Sequence, residues 1–142
     1  MAFKPTISQQ NVLDTKKQKV VVSASAGSGK TTLMIEKILK IIIEDGADIS
    51  KFLVCTFTNA SSAEMKERLY LKMAECIASE KDEKKRKKLI ENYEKIELAK
   101  ICTIDKLCLD VVKKYYYKLK IDANIQTLST FEASFLKNRA FK

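Results

Sequence analysis

Val20-Val21-Val22-Ser23-Ala24-Ser25-Ala26-Gly27-Ser28-Gly29-Lys30-Thr31-Thr32 is an apolar run that passes through a glycine-rich turn into Gly-Lys-Thr. Its reading decides the fold class. Val20 to Ala24 has the composition of a short buried strand, and Gly27, Ser28 and Gly29 are small enough for successive backbone N–H groups to turn inward around an anion. Lys30 then reaches toward the outer phosphates of a nucleotide, and Thr31 can set its hydroxyl on magnesium. The strict phosphate-loop pattern has glycine where Ala24 stands, so the match is one glycine short. A Gly/Ser surface turn leading into an ordinary helix is the other reading. The strand-turn-helix context that phosphate binding requires favours the first.

Working outward, Thr31 to Glu44 carries Leu33, Ile38, Ile41 and Ile42 at helical spacing, and Gly46 ends the pattern. An anion at the start of this helix meets unpaired N–H groups and the favourable end of the dipole. Upstream, Thr6 follows Pro5 and precedes Gln9 by three positions, the spacing of a capping box. Ile7, Val12 and Leu13 give that short helix an apolar stripe. Lying just before the loop, Gln9 has a second possible role as an amide for a nucleotide base.

Downstream, Phe52 to Phe57 reads as a buried parallel strand, followed by a helix carried by Ala60, Ala63, Met65, Leu69 and Met73. Thr58 and Asn59 stand just past the strand's carboxyl end, where open α/β sheets place ligand contacts; helix capping is their alternative role. Lys100 to Ile104 is a third short strand. Thr103 near its end is expected in the same relation to the sheet as Thr58. Residues 78–98 between these strands, rich in Lys and Glu with a thin apolar side, are expected to form a helical excursion on the domain surface. Lys84 to Lys88 within it reads as a solvated face or as a nucleic-acid contact. Tyr115, Tyr116 and Tyr117 read as helix-packing aromatics or as base-stacking groups. Thr130 is expected to cap a last helix bearing Phe131, Phe135 and Leu136.

The length of 142 residues suits one core, and the net charge of +9 favours a polyanionic partner. Four cysteines without CxxC spacing, in a chain with no histidine, argue against a zinc site. Cys55 and Cys102 are expected as small core residues. No stretch reaches membrane-spanning length and Met1 to Lys19 lacks a secretory apolar core, which makes a cytoplasmic location without membrane contact the expectation.

Taken together, these segments resemble the N-terminal part of the superfamily 1A DNA helicases, most closely the AddA-type subunits of bacterial helicase-nucleases, with RecB and UvrD types more distant. Thr6 to Leu13 looks like the family's Q motif. Ala24 to Thr31 is similar to its Walker A loop, in which alanine at the first position is ordinary. Phe57 to Met65 is similar to motif Ia, and Thr103 to Cys108 resembles the family's ThrIleHisSerPheCys segment.

The resemblance implies an α/β fold: a RecA-like P-loop NTPase domain, here its incomplete N-terminal part, with a parallel sheet flanked by helices over residues 1–120. Residues 121–142 would begin an inserted helical subdomain. It implies ATP and Mg2+ as cofactors, with Gln9 near adenine and Ala24, Ser25, Ala26, Gly27, Ser28, Gly29, Lys30, Thr31 and Thr32 around the nucleotide. Lys30 and Thr31 would be catalytic, Thr31 as magnesium ligand. Thr58, Asn59 and Thr103 would lie near a single-stranded DNA track. Full-length members unwind duplex DNA ends, and AddA-type members, with an AddB-like subunit, process double-strand breaks for recombinational repair as helicase and exonuclease.

Two departures stand out. Asp105 and Lys106 replace the family's histidine and serine. No apolar strand ending in Asp-Glu, second ATPase domain or nuclease domain occurs in the 142 residues, so this chain alone is expected neither to translocate nor to unwind without the remainder of a parent polypeptide. The alternatives are a stand-alone nucleotide- or DNA-binding remnant and a small P-loop phosphotransferase. Phe57 to Met65 and the lack of an acceptor site argue against the last.

Overall fold

Lys30-Thr31-Thr32-Leu33-Met34-Ile35-Glu36-Lys37-Ile38-Leu39-Lys40-Ile41-Ile42-Ile43-Glu44 has no Gly or Pro, and its aliphatic residues recur every three or four positions. In the computed structural model, which describes residues 4–25, 27–122 and 124–141, this stretch is helix α2 (Lys30–Glu44). Leu33, Ile35, Ile38, Leu39 and Ile42 are its buried side. Gly46, at φ +66°, turns the chain away from its end. Before it lies α1 (Ile7–Asp14), capped by Thr6 with Gln9 in the reciprocal position, as the spacing predicts. Leu13 docks; Ile7 is 85% exposed and does not.

Strands β1 (Leu53–Thr56) and β2 (Lys100–Thr103) pair in parallel, Leu53 opposite Lys100 and Thr56 opposite Thr103. Between them run α3 (Asn59–Ser79) and α4 (Glu83–Glu94). The architecture is therefore α/β: a small parallel sheet flanked by helices, consistent with an incomplete, mostly helical N-terminal piece of a RecA-like fold. One sheet face, with Val54 and Ile101, is buried. The other leaves Leu53 and Cys55 exposed, so Cys55 is not the core residue expected of it. A sheet covered on one face alternates rather than burying every residue, which is why FLVCTF reads as more buried than it is.

The core of the unit Met1–Thr103 joins α2, α3, α4 and both strands in one cluster, with Ile42, Leu69, Met73 and Ile96 fully enclosed. Ser62 is buried in the α3 stripe ahead of Met65, Leu69 and Met73, whereas Ala60 and Ala63 face solvent. The charged segment 78–98 is helical as expected, yet it is more than a surface excursion. Leu89 and Ile96 enter the core, and the Asn92 amide oxygen accepts the Ile49 N–H at 2.7 Å. Its few apolar residues fall at one-turn spacing, and that placement, not their number, decides burial.

Val20 to Ala24 departs most from expectation. The segment belongs to no strand, and Val20, Val21 and Val22 are 47%, 97% and 44% exposed. A β-rich composition makes a strand only where a neighbouring backbone completes the ladder; among the described residues the two strands pair with each other and leave this segment without one. The unit Ile104–Lys142 holds α5 (Ile104–Leu119), which breaks helical geometry at Tyr115, and α6 (Thr130–Ala140). Ser129, not Thr130, caps α6, in a capping box with Glu132. No residue of α5 is buried, and Tyr115 takes the ammonium groups of Lys114 and Lys118 at 5.6 and 5.7 Å from its ring centre.

Two lysines of α2 fasten α1. Lys37 Nζ donates to the carbonyl oxygens of Leu13 and Thr15 at 2.8 and 2.7 Å, and Lys40 pairs with Asp14. The Lys40 ammonium, joined by the Gln10 amide, holds the Asp14 carboxyl below its ordinary range. Lys37→Met keeps the stem and removes the donor; local opening of α1 should become easier by about 1–3 kcal/mol. Hydrogen exchange at the Gln10 and Thr15 amides, which bond Thr6 and Asn11, reads this directly, and unchanged protection there would refute the anchor.

A second tie closes the far side of the unit. Asp48 accepts from the Ser50 hydroxyl and backbone N–H and from Lys95, and these donors bring its carboxyl from 3.8 down to about 2. A lowered folded-state value stabilises above the unfolded value and is lost as pH falls through the folded one. Asp48→Asn should therefore be less stable than the native chain at neutral pH, the gap closing between pH 3.8 and about 2. Denaturant melts across that window test it; a gap that persists at its acid end would assign the loss to another cause.

Candidate functional site

The loop preceding α2 is shaped by two left-handed residues, Gly27 at φ +75° and Gly29 at φ +80°, a backbone that side chains bearing Cβ rarely adopt. The Ser28 N–H closes on the Ser25 carbonyl at 3.4 Å. Gly29 is the residue immediately ahead of α2, so the first N–H groups of that helix open at the loop. Ala26, included in the expected nucleotide set, lies outside the described residues.

Lys30 folds its ammonium onto the carbonyl oxygens of Ser25 and, at 3.1 Å, Ala24. Gln9 bridges from the other side: its Oε1 accepts the Thr6 N–H at 2.9 Å, and its Nε2 donates to the Ser28 carbonyl at 3.2 Å. The α1 cap and the loop are thereby held together by one side chain. Between them opens a cleft of about 450 Å³, lined among others by Thr6, Gln9, Ser23, Ala24, Ser28 and Lys30, within the size range of small-molecule sites. Among the described residues no carboxylate lines it, so Lys30 gives it a net positive character. Such a cleft suits an anionic ligand with a polar ring or base at the Gln9 end.

For a magnesium ion the chain offers less. Thr31 lies exposed in the first turn of α2 and Thr32 beside it is half-buried. Among the described residues no group of three or more His, Cys, Asp or Glu side chains could hold a metal. The donor set fits phosphate; for the metal it supplies one hydroxyl.

At the carboxyl edge of the sheet, Thr58 caps α3, its hydroxyl accepting the Ser61 N–H at 3.1 Å, while Asn59 is the first helical residue. Both are exposed. Thr103 is 8% exposed and sits opposite Thr56, so it is the register partner of Thr56 and not the counterpart of Thr58. Thr56 and Thr103 share the covered face with Val54 and Ile101, two residues back on each strand. The Thr56 hydroxyl meets Ser62 Oγ at 2.6 Å, which ties the strand end to α3. Lys106, at one of the departures from the family pattern, forms an ion pair with Asp110 at 2.8 Å.

Sequence reading missed Ser62, Lys37 and Lys40. Ser62 was available as the first member of the stripe that continues through Met65, Leu69 and Met73. The two lysines carry no such signal, since an anchoring lysine and a solvated one look alike in a helical pattern.

The UvrD/REP helicase N-terminal domain family matches residues 6–141 of this chain. An ATP-dependent helicase/nuclease protein of Lactobacillus delbrueckii subsp. bulgaricus, the A component of its enzyme, is 35% identical across the whole chain, which covers 12% of that relative. The corresponding protein of Lactobacillus acidophilus is 38% identical over 96% of the chain and 11% of the relative, and that of Alkaliphilus oremlandii 33% over 96% and 11%. The chain thus spans about a ninth of the length of these curated relatives. With the match running from the α1 cap through α6, the chain belongs to the UvrD/REP helicase N-terminal domain family, homologous to bacterial AddA subunits.

Proposed function

We propose that this chain is the nucleotide-binding N-terminal portion of an AddA-type ATP-dependent DNA helicase-nuclease, acting in double-strand break repair by recombination. The observation that carries the reading is the convergence of Gln9, Ser28 and Lys30 on one cleft that no carboxylate lines among the described residues. ATP would lie with its base toward Gln9 and its phosphates over Gly27 to Lys30, at the start of α2. Lys30 would exchange its carbonyl partners for phosphate oxygens, and Thr31 would offer its hydroxyl to Mg2+. Bound there, MgATP supplies the phosphoanhydride whose cleavage drives the parent enzyme. The residues of this chain position that group, while polarising the attacking water falls to carboxylates of the remaining polypeptide.

Gln9 deepens the arrangement. Its Oε1 accepts the Thr6 N–H with one of two lone pairs and its Nε2 gives one of two hydrogens to Ser28, so one acceptor site and one donor are left for a base. One acceptor beside one donor suits the adenine edge, where the N6 amine donates and N7 accepts, and disfavours guanine, whose O6 and N7 both accept. The exposed Thr58 and Asn59, past β1, are the proposed contacts for single-stranded DNA; Thr103 would support that edge from the covered face. The proposed division keeps residues 1–120 with the ATPase domain and 121–142 with an inserted helical subdomain. The partners are single- and double-stranded DNA ends, the rest of the parent chain and an AddB-like subunit. No helix among the described residues is long and apolar enough to cross a membrane, and the proposed compartment is the cytoplasm.

Titration with a fluorescent ATP analogue tests the site. Lys30→Ala should weaken binding about tenfold or more, the loss of a charge-assisted contact. Gln9→Ala should leave triphosphate binding within a few-fold but narrow the preference for ATP over GTP. Equal affinity of Lys30→Ala and the native chain would sink the phosphate assignment. An unchanged base preference would remove Gln9 from it.

A further inference from the structure

Several lysines packed along the unit Met1–Thr103 have an acidic partner: Lys40 pairs with Asp14, Lys66 with Glu97, Lys72 with Glu75 and Lys95 with Asp48. The run at the start of α4 does not. Lys81, Lys84, Lys85, Arg86, Lys87 and Lys88 are all exposed, and among the described residues none of them makes an ion pair.

The placement costs the fold stability. Helix α4 begins at Glu83, so these cations crowd the end where the dipole is positive. Lys84 and Lys88 stand four apart, Lys84 and Lys87 three apart, and like charges at those spacings repel on a helix. A face needed only for solubility gains by mixing signs. Lys88 has a local reason, since its ammonium lies by Gly46, at the carboxyl end of α2 where positive charge is favoured. Lys87 has opposite charges four residues away on either side, Glu83 and Glu91, while Lys84 and Lys85 have no such reason within the helix.

We propose that the first half of α4 is a sequence-independent contact for the phosphate backbone of duplex DNA. The choice of duplex over single strand rests on what the run lacks. No aromatic residue occurs from Lys81 to Lys88, whereas single-strand sites use stacking platforms beside their cations. A rigid helix with closely spaced cations and no stacking aromatic instead matches the dense, regular charge of a duplex. The surface is separate from the nucleotide cleft. Lys88 marks the carboxyl end of the 15-residue α2 while the loop marks its amino end, which places them about 22 Å apart along the helix axis. The proposal rests on the helicase reading for its choice of polyanion but not on the nucleotide site, and its test uses no nucleotide.

The test compares the 142-residue chain with Lys84→Gln/Lys85→Gln/Lys87→Gln by fluorescence anisotropy, using a blunt duplex of about 30 base pairs and an oligo-dT of about 30 nucleotides from roughly 50 to 200 mM salt. Circular dichroism and thermal melting follow the fold. The expected result is duplex affinity weaker by about tenfold at the lowest salt and a salt slope shallower by roughly two to three, near 0.9 for each lysine in contact. Oligo-dT binding should change less, and the melting temperature should stay level or rise. Unchanged duplex affinity and slope would overturn the proposal, as would absence of duplex binding by the native chain. So would an equal loss for both nucleic acids. Nucleotide binding, measured separately on Lys30→Ala, fails or holds independently of these outcomes.

Discussion

Burying one side of α2 is the constraint on which everything else in the unit Met1–Thr103 depends. Ile35, Ile38, Leu39 and Ile42 must leave water, and α3 and α4 supply the surfaces that cover them. Full burial of an aliphatic side chain contributes about 1.5–3 kcal/mol, which makes this seam large against the roughly 5–15 kcal/mol of net stability usual for a native protein. Once the helix is fixed along that seam, its two ends and its free side acquire fixed duties. The amino end carries the loop glycines, the free side carries the lysines that fasten α1, and the carboxyl end meets Gly46 and the Asp48 cluster.

The cleft therefore rests on contacts that lie outside it. Gln9 touches the loop because α1 is held, and α1 is held because Lys37 satisfies the carbonyls at its end. Leu13 adds the apolar part of that seat. The arrangement is short-range: one side chain spans from the α1 cap to the loop, so a small displacement of α1 suffices to break it.

Helices were legible in the sequence because their determinants are local, and so were their caps, apart from α6, where the cap is Ser129 and not Thr130. Thr6 with Gln9, the α2 stripe and Gly46 each act within a few residues, and the structure contains all three. The glycine-lysine loop was legible for the same reason. Strand status was not. Val20 to Ala24 has strand composition, but pairing is decided by a backbone elsewhere, and no local pattern reveals whether that backbone is present. The same non-locality hid the one-sided burial of β1 and the register that sets Thr103 opposite Thr56. In segment 78–98 the thin apolar side holding Leu89 and Ile96 was legible, but the charge density around it read as a surface face and not as part of the core. Lys37 and Lys40 were hidden for another reason: their partners are main-chain carbonyls and a carboxylate more than 20 positions away.

The parallel pairing of β1 with β2 carries a kinetic consequence. Leu53 and Lys100 are separated by 47 positions, and nearly all the intervening chain is α3, α4 and the short turn beneath them. Closing so long a flexible loop for four residue pairs is entropically unfavourable. Folding α3 and α4 against each other first shortens the effective loop to a few residues at each strand. The order of events is then written into the connectivity: helical hairpin early, sheet late. A chain emerging from the ribosome cannot form its sheet until Thr103 is clear of the exit tunnel.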